Sequence, residues 1–158
     1  MGWYDVPRLI VPDLIVQHGR NQAGKPALLC GERRWTWGEF DAATNQVANG
    51  LLQLGLAPGA RVAVLMHNSA EMALLLFGAG KAGVCVVPLN TSVSDAAVAA
   101  MVRDSGASAI AASGEHCLRV DALLAAGQLP GTSIKLGVDV PDAGHWTDLA
   151  PWLERQAA

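Results

Sequence analysis

The sequence predicts an α/β protein: a doubly wound, mostly parallel sheet with helices on both faces and a short β-hairpin near the start. Three observations carry this expectation. Arg61–Met66 is a nearly unbroken apolar run, which is how a strand covered on both faces reads. Residues 68–83 are apolar around the middle turns at Met72–Phe77 and end in a glycine-rich stretch, and Val84–Val87 is again β-branched. Strand, helix and strand in that order make a right-handed crossover, and the alternation continues to Val138, as an open doubly wound sheet requires.

Taken in order, Asp13–Gly19 reads as one or two helical turns after Pro12, broken by Gly24-Lys25-Pro26. Ala27–Cys30 and Arg34–Trp37 read as short strands around Gly31-Glu32-Arg33, a hairpin. Trp35 and Trp37 alternate with Thr36, so their rings share a face. Thr36 precedes Glu39 at the spacing of a capping box. Phe40, Thr44, Val47, Leu51 and Leu54 then recur at steps of three or four, the stripe of an amphipathic helix. Gly55 ends that helix, and Pro58-Gly59 turns the chain into the central strand.

Asn68 is expected to cap the next helix with Glu71 as its capping-box partner, and Pro88, lacking an N–H, to end the second strand. Ser92 and Asp95 repeat the cap-and-acid spacing ahead of a helix through Val98, Met101 and Val102 to Gly106. Ser108–Ala112 is a strand, Glu115–Ala126 a helix and Ser133–Val138 a further strand. A polar loop over Asp139–His145 and a short helix over Asp148–Gln156, carrying Trp152, complete the chain.

Composition narrows the function classes. The 158 residues are 51% hydrophobic and only 16% charged, against about 25% charged in ordinary soluble domains. Either this is an alanine-rich α/β chain, or part of its surface is meant to be covered. The net charge is −3 and Arg33-Arg34 is the only adjacent basic pair, which argues against a nucleic-acid partner. Cys30, Cys85 and Cys117 are odd in number and far apart, neither a zinc pattern nor a disulfide framework. Reduced thiols and a cytoplasmic location fit them best. Met1–Pro7 lacks the pattern of a signal peptide, and no apolar run approaches the ~20 residues of a membrane span.

Motifs that suggest chemistry fail on context. Gly78-Ala-Gly80-Lys-Ala-Gly83 matches the dinucleotide fingerprint by letter, but it closes a helix instead of opening one. A phosphate there would face the negative end of the helix dipole, so helix–sheet packing is the better account. Gly80-Lys81 is followed by Ala82 where a P-loop needs Ser or Thr. His18, His67, His116 and His145 show no metal-ligand spacing, and there is no G-x-S-x-G elbow. His67-Asn68-Ser69 lies beyond the C-terminal end of the first core strand, where open α/β sheets take ligands. It is the best generic site candidate, although helix capping explains Asn68 and Ser69 more simply. Glu71 and Lys81 read as cap and surface groups, not an acid–base pair.

From Lys25 to about Ser113 several short stretches occur together. They are Pro26-Ala-Leu-Leu, Arg34-Trp-Thr-Trp-Gly-Glu-Phe, Asn45-Gln-Val-Ala-Asn-Gly-Leu, Leu54-Gly-Leu-Ala-Pro-Gly-Ala-Arg-Val-Ala-Val, Asn68-Ser-Ala-Glu and Gly80-Lys-Ala-Gly-Val-Cys-Val-Val-Pro-Leu-Asn90. Asp104-Ser-Gly-Ala continues the series. In this order the chain resembles the N-terminal region of the AMP-forming adenylating enzymes: acyl-CoA synthetases, with luciferases and peptide-synthetase adenylation domains as cousins.

The resemblance implies a two-step ligase in the full-length enzyme. A carboxylate attacks the α-phosphate of ATP, giving an acyl-adenylate and pyrophosphate, and the thiol of coenzyme A then takes the acyl group. ATP, magnesium and coenzyme A are implied there, none of them for this chain alone. The family's Ser/Thr/Gly-rich phosphate loop closed by Lys-Gly is not found here, since Gly131-Thr-Ser is too short and lacks the lysine. The catalytic lysine belongs to a C-terminal domain equally absent from this sequence. Ser92 stands where many acyl-CoA synthetases have a basic residue, which in some helps hold the coenzyme A phosphate. The resemblance therefore carries no catalytic, cofactor-binding or metal-binding residue onto this sequence.

The organisation it implies is a helical lead-in over 1–24, an α/β subdomain over 25–140, and a loop and short helix over 141–158 leading to the remainder. The expected partners are that remainder or a second copy of the chain, with a carboxylic acid as substrate of the whole enzyme. A free-standing non-catalytic interaction module is the alternative, and a minimal nucleotide-binding protein would rest on fold analogy alone. The apolar composition predicts that the isolated chain self-associates; light scattering across micromolar concentrations checks this, and a clean monomer throughout would count against it.

Overall fold

The computed structural model describes residues 10–141 and 145–158. Met1–Pro7 and the centre of the expected Asp139–His145 loop lie outside the described residues. In order, the elements are α1 (Val11–Asn21), β1 (Pro26–Cys30), β2 (Arg33–Thr36), α2 (Trp37–Gln53), β3 (Arg61–Leu65), α3 (Ala70–Lys81) and β4 (Cys85–Pro88). There follow α4 (Asp95–Ser105), β5 (Ala109–Ser113), α5 (Glu115–Ala125), β6 (Ile134–Val138), β7 (Thr147–Asp148) and α6 (Leu149–Glu154).

The main sheet has five strands in the order β4-β3-β5-β6-β7, and every pairing in it is parallel. β1 and β2 form a separate antiparallel hairpin. Successive side chains of a strand point to opposite faces, and the two cores sort accordingly. Val62 and Val64 of β3 pack with α1, α2, α3 and α6, whereas Ala63 and Leu65 pack with α4 and α5. The sheet is doubly wound, as the sequence predicts.

Three helices, α2, α3 and α4, start on a hydroxyl cap. Thr36 caps α2, its Oγ1 accepting from the Glu39 N–H at 3.3 Å while the Glu39 carboxylate accepts from the Thr36 N–H at 2.8 Å. Two other caps differ from expectation. Ser69, not Asn68, caps α3 by accepting from the Met72 N–H at 3.1 Å. That places Glu71 one residue too early to complete a capping box, and its carboxylate instead meets Arg33 of β2 at 2.5 Å. Ser94, not Ser92, caps α4 through the Ala97 N–H, while the Ser92 N–H is held by the Asn90 side chain at 2.8 Å. In both cases several polar residues compete for one role, and the one whose oxygen reaches the N3 amide takes it. Trp37 is also displaced: it opens α2 instead of ending the strand, yet it and Trp35 pack against the same core.

The glycine-rich run is corrected from helix–sheet to helix–helix packing. A Cβ on Gly78 would lie 2.4 Å from the Val47 Cβ and 2.8 Å from the Thr44 carbonyl oxygen, both on α2. Gly80 meets only Pro12 at 3.6 Å, and Gly83 is needed for its φ of +70° after the helix. α6 seats on the opposite flank of α2, where a Cβ on Gly50 would fall 2.3 Å from the Trp152 ring. The Asn49 amide donates to the Ala157 carbonyl at 2.9 Å, fastening the C-terminal segment. β7, too short to read from sequence, adds Thr147 and Asp148 to the edge of the sheet beside β6.

Gly78→Ala is expected to destabilise the chain by about 1–3 kcal/mol through overpacking. Gly80→Ala should be neutral or stabilising by up to about 1 kcal/mol through helix propensity. Urea denaturation of the two variants checks the contrast.

Candidate functional site

The strand order sets the site. β3 connects through α3 to β4 on one side, and α4 then carries the chain back across β3 to β5 on the other. The connections leave β3 and β5 in opposite directions, and the crevice at their C-terminal ends is where such sheets bind ligands. His67 stands just past the end of β3, as expected. The structure adds what spacing alone does not reveal: Glu115 and His116, at the start of α5 after β5, face it. The Nε2 atoms of His67 and His116 are 3.3 Å apart and the ring centroids 5.0 Å apart. With the Glu115 carboxylate, these groups offer three ligand atoms within 4.8 Å of one another.

The environment is asymmetric. His116 is 6% exposed, whereas His67 and Glu115 are exposed. Burial holds the His116 imidazole below the ordinary histidine range; His67 and Arg119 push the same way, against Glu115. Gly114, at φ +52° and ψ −128°, makes the turn that presents Glu115 and His116. Its amide is fixed by the Val138 carbonyl of β6 at 2.9 Å. Arg119, one turn further along α5, donates to the carbonyls of Thr91 and Val93 and pairs with Asp95 at 2.6 Å. It thus braces the Asn90–Ser94 loop where Ser92 is exposed.

The remaining candidates are structural. Lys81 is not a surface group: its side chain is 8% exposed, and its Nζ reaches the Asp41 carboxylate at 2.5 Å and the Asn45 Oδ1 at 2.7 Å. It ties the end of α3 to α2. The run from Gly78 to Gly83 closes α3 and leads into β4, as expected. Gly131, at φ +82°, turns toward β6 at the N-terminal edge of the sheet, away from the crevice. Cys30, Cys85 and Cys117 are all free, and burial pushes the Cys117 thiol up to about 11. Among the described residues, no helix is long and apolar enough to cross a membrane.

A family model for the AMP-binding enzymes matches residues 15–155. The chain belongs to the AMP-binding enzyme family. The relatives are ligases and synthases of this kind. Long-chain-fatty-acid–CoA ligase FadD13 of Mycobacterium tuberculosis is 37% identical over 99 residues, covering 63% of this chain and 20% of that protein. Pseudomonine synthase PmsE of Pseudomonas entomophila is 36% identical over 148 residues, covering 88% of this chain and 23% of the synthase. The chain thus spans about a fifth of the length of these relatives. Among solved structures, the N-terminal domain of FACL13 from M. tuberculosis superposes with a TM-score of 0.75 at 30% identity, covering 91% of this chain and 36% of that one. The anthranilate CoA ligase AuaEII, in complex with anthranoyl-AMP, gives a TM-score of 0.84 at 25% identity, covering 99% of this chain and 29% of that one.

Lys81→Met is expected to cost about 3 kcal/mol, the lower end for breaking a buried pair, because Asp41 keeps 20% exposure. The double variant with Asp41→Asn should recover part of that loss, since the stranded carboxylate is then gone. Chemical denaturation of the single and double variants measures both.

Proposed function

We propose that this chain supplies the N-terminal α/β scaffold of an ATP-dependent carboxylic acid–CoA ligase and performs no adenylation by itself. The observation that carries this reading is the family match over residues 15–155 in a sequence without the family's phosphate loop. Adenylation needs cationic and backbone donors placed where charge develops around the triphosphate. Arg119, one turn along α5 from His116 at the crevice, is already engaged by the carbonyls of Thr91 and Val93 and by Asp95.

In the complete ligase, ATP and magnesium would serve the first step, with a carboxylic acid as nucleophile, and coenzyme A the second. The chain would contribute folded scaffold and part of the substrate-pocket wall, with the remainder of the enzyme as its partner. With Ser92 at the position discussed above, a coenzyme A contact from that loop is not expected. The three free cysteines support a reducing, cytoplasmic setting.

One observation favours a second reading, a non-catalytic module that pairs with itself. Val11, Leu14 and Leu76 are exposed apolar residues grouped around Phe77 on the α1–α3 flank, a surface suited to burial against a copy of the chain.

The test is ATP binding and ATP–pyrophosphate exchange by this chain with magnesium and a panel of fatty and aromatic acids. Exchange at background is expected. Exchange clearly above background would overturn the proposal.

A further inference from the structure

The geometry points to a binding site for a divalent transition-metal ion of the zinc type, held by His67, Glu115 and His116 in the crevice between β3 and β5. This goes beyond the ligase reading and does not depend on it. Magnesium, the ion that accompanies ATP, takes oxygen ligands in octahedral array and keeps several waters. Two imidazole nitrogens and one carboxylate suit zinc, or nickel and copper, instead.

Distances support the assignment. Two nitrogens each about 2.0–2.1 Å from a tetrahedral zinc lie about 3.3–3.4 Å apart, and the two Nε2 atoms here stand at 3.3 Å. The pair already has the spacing that one shared ion imposes. A Glu115 carboxylate oxygen lies within 4.8 Å of a ring nitrogen of each histidine, and Glu115 is exposed, so a side-chain rotation can close the remaining gap. His116 is buried and set by the turn at Gly114, which gives the site one rigid anchor. His67 and Glu115, both exposed, leave the solvent side open for entry. Three protein ligands leave one coordination position for water or an anionic group.

Two competing occupants are less well served. A simple hydrogen bond between the imidazoles explains the pair and leaves Glu115 only the general role of an acidic residue in the first turn of α5. A bound anion would benefit from the N-terminus of α5, but the Glu115 carboxylate within the cluster repels it.

The experiment uses the full chain with Cys30→Ser and Cys85→Ser, which removes the thiols that solvent can reach. Zinc is titrated in competition with a chromogenic chelator, and cobalt(II) is followed by its visible absorption. The expected result is one ion per chain with a dissociation constant below about 10 μM. His67→Ala and Glu115→Gln lie at exposed positions and should leave the fold intact. His67→Ala should weaken binding at least about tenfold, Glu115→Gln should weaken it measurably, and His145→Ala should leave it unchanged. The cobalt spectrum should lack a sulfur charge-transfer band. Weaker binding by the parent chain, or binding that His67→Ala leaves intact, would overturn the site.

Discussion

The close approach of α2 and α3 is the constraint on which one whole face of the protein depends. Gly78 has no side chain where Val47 and Thr44 need the space, and one turn later Lys81 reaches across to Asp41 and Asn45. Packing and charge pairing act at the same seam. α3 is the crossover between β3 and β4, so the seam fixes how the central strand lies beneath α2. On its other flank α2 receives Trp152 at Gly50. A disturbance at Gly78 would therefore be felt on both sides of α2, at the sheet and at the C-terminal helix.

Four ion pairs among the described residues join separate elements. Arg33 to Glu71 joins the hairpin to α3, Lys81 to Asp41 joins α3 to α2, Arg119 to Asp95 joins α5 to α4, and Lys135 to Asp121 joins β6 to α5. Each pair bridges separate segments, where it adds geometric definition as well as energy. The exposed pairs are worth a few tenths of a kcal/mol to about 1 kcal/mol each, so apolar burial in the two cores remains the main stabilising term. Asp121 also accepts from the Trp146 indole at 2.9 Å. These contacts outweigh its burial and hold its carboxyl below the usual range.

Periodic features were legible in the sequence. The apolar run at Arg61, the stripe from Phe40 to Leu51 and the β-branched stretch at Val84 report local geometry repeated over many residues, and each lies where expected. What failed depended on choosing among neighbours. Asn68 and Ser69 are both good caps, and only the position of the Met72 amide decides between them. The glycines of α3 announce a close contact without naming the partner, because the partner is α2, more than 30 positions earlier in places. The crevice was legible by halves: His67 follows from the end of β3, but His116 joins it only because β5 is inserted beside β3. No local spacing records a meeting between residues separated by 49 positions.

The short outer strands have a consequence for how copies of this chain can meet. At one margin of the sheet β7 contributes two residues, and at the other β4 contributes four, the last of them Pro88, which has no amide hydrogen to give. Among the described residues, the margins of this sheet offer only these short backbone ladders to a further strand. At the margins of this sheet, contact through side-chain faces is favoured over a continuous cross-chain sheet, while the separate β1–β2 hairpin keeps edges of its own.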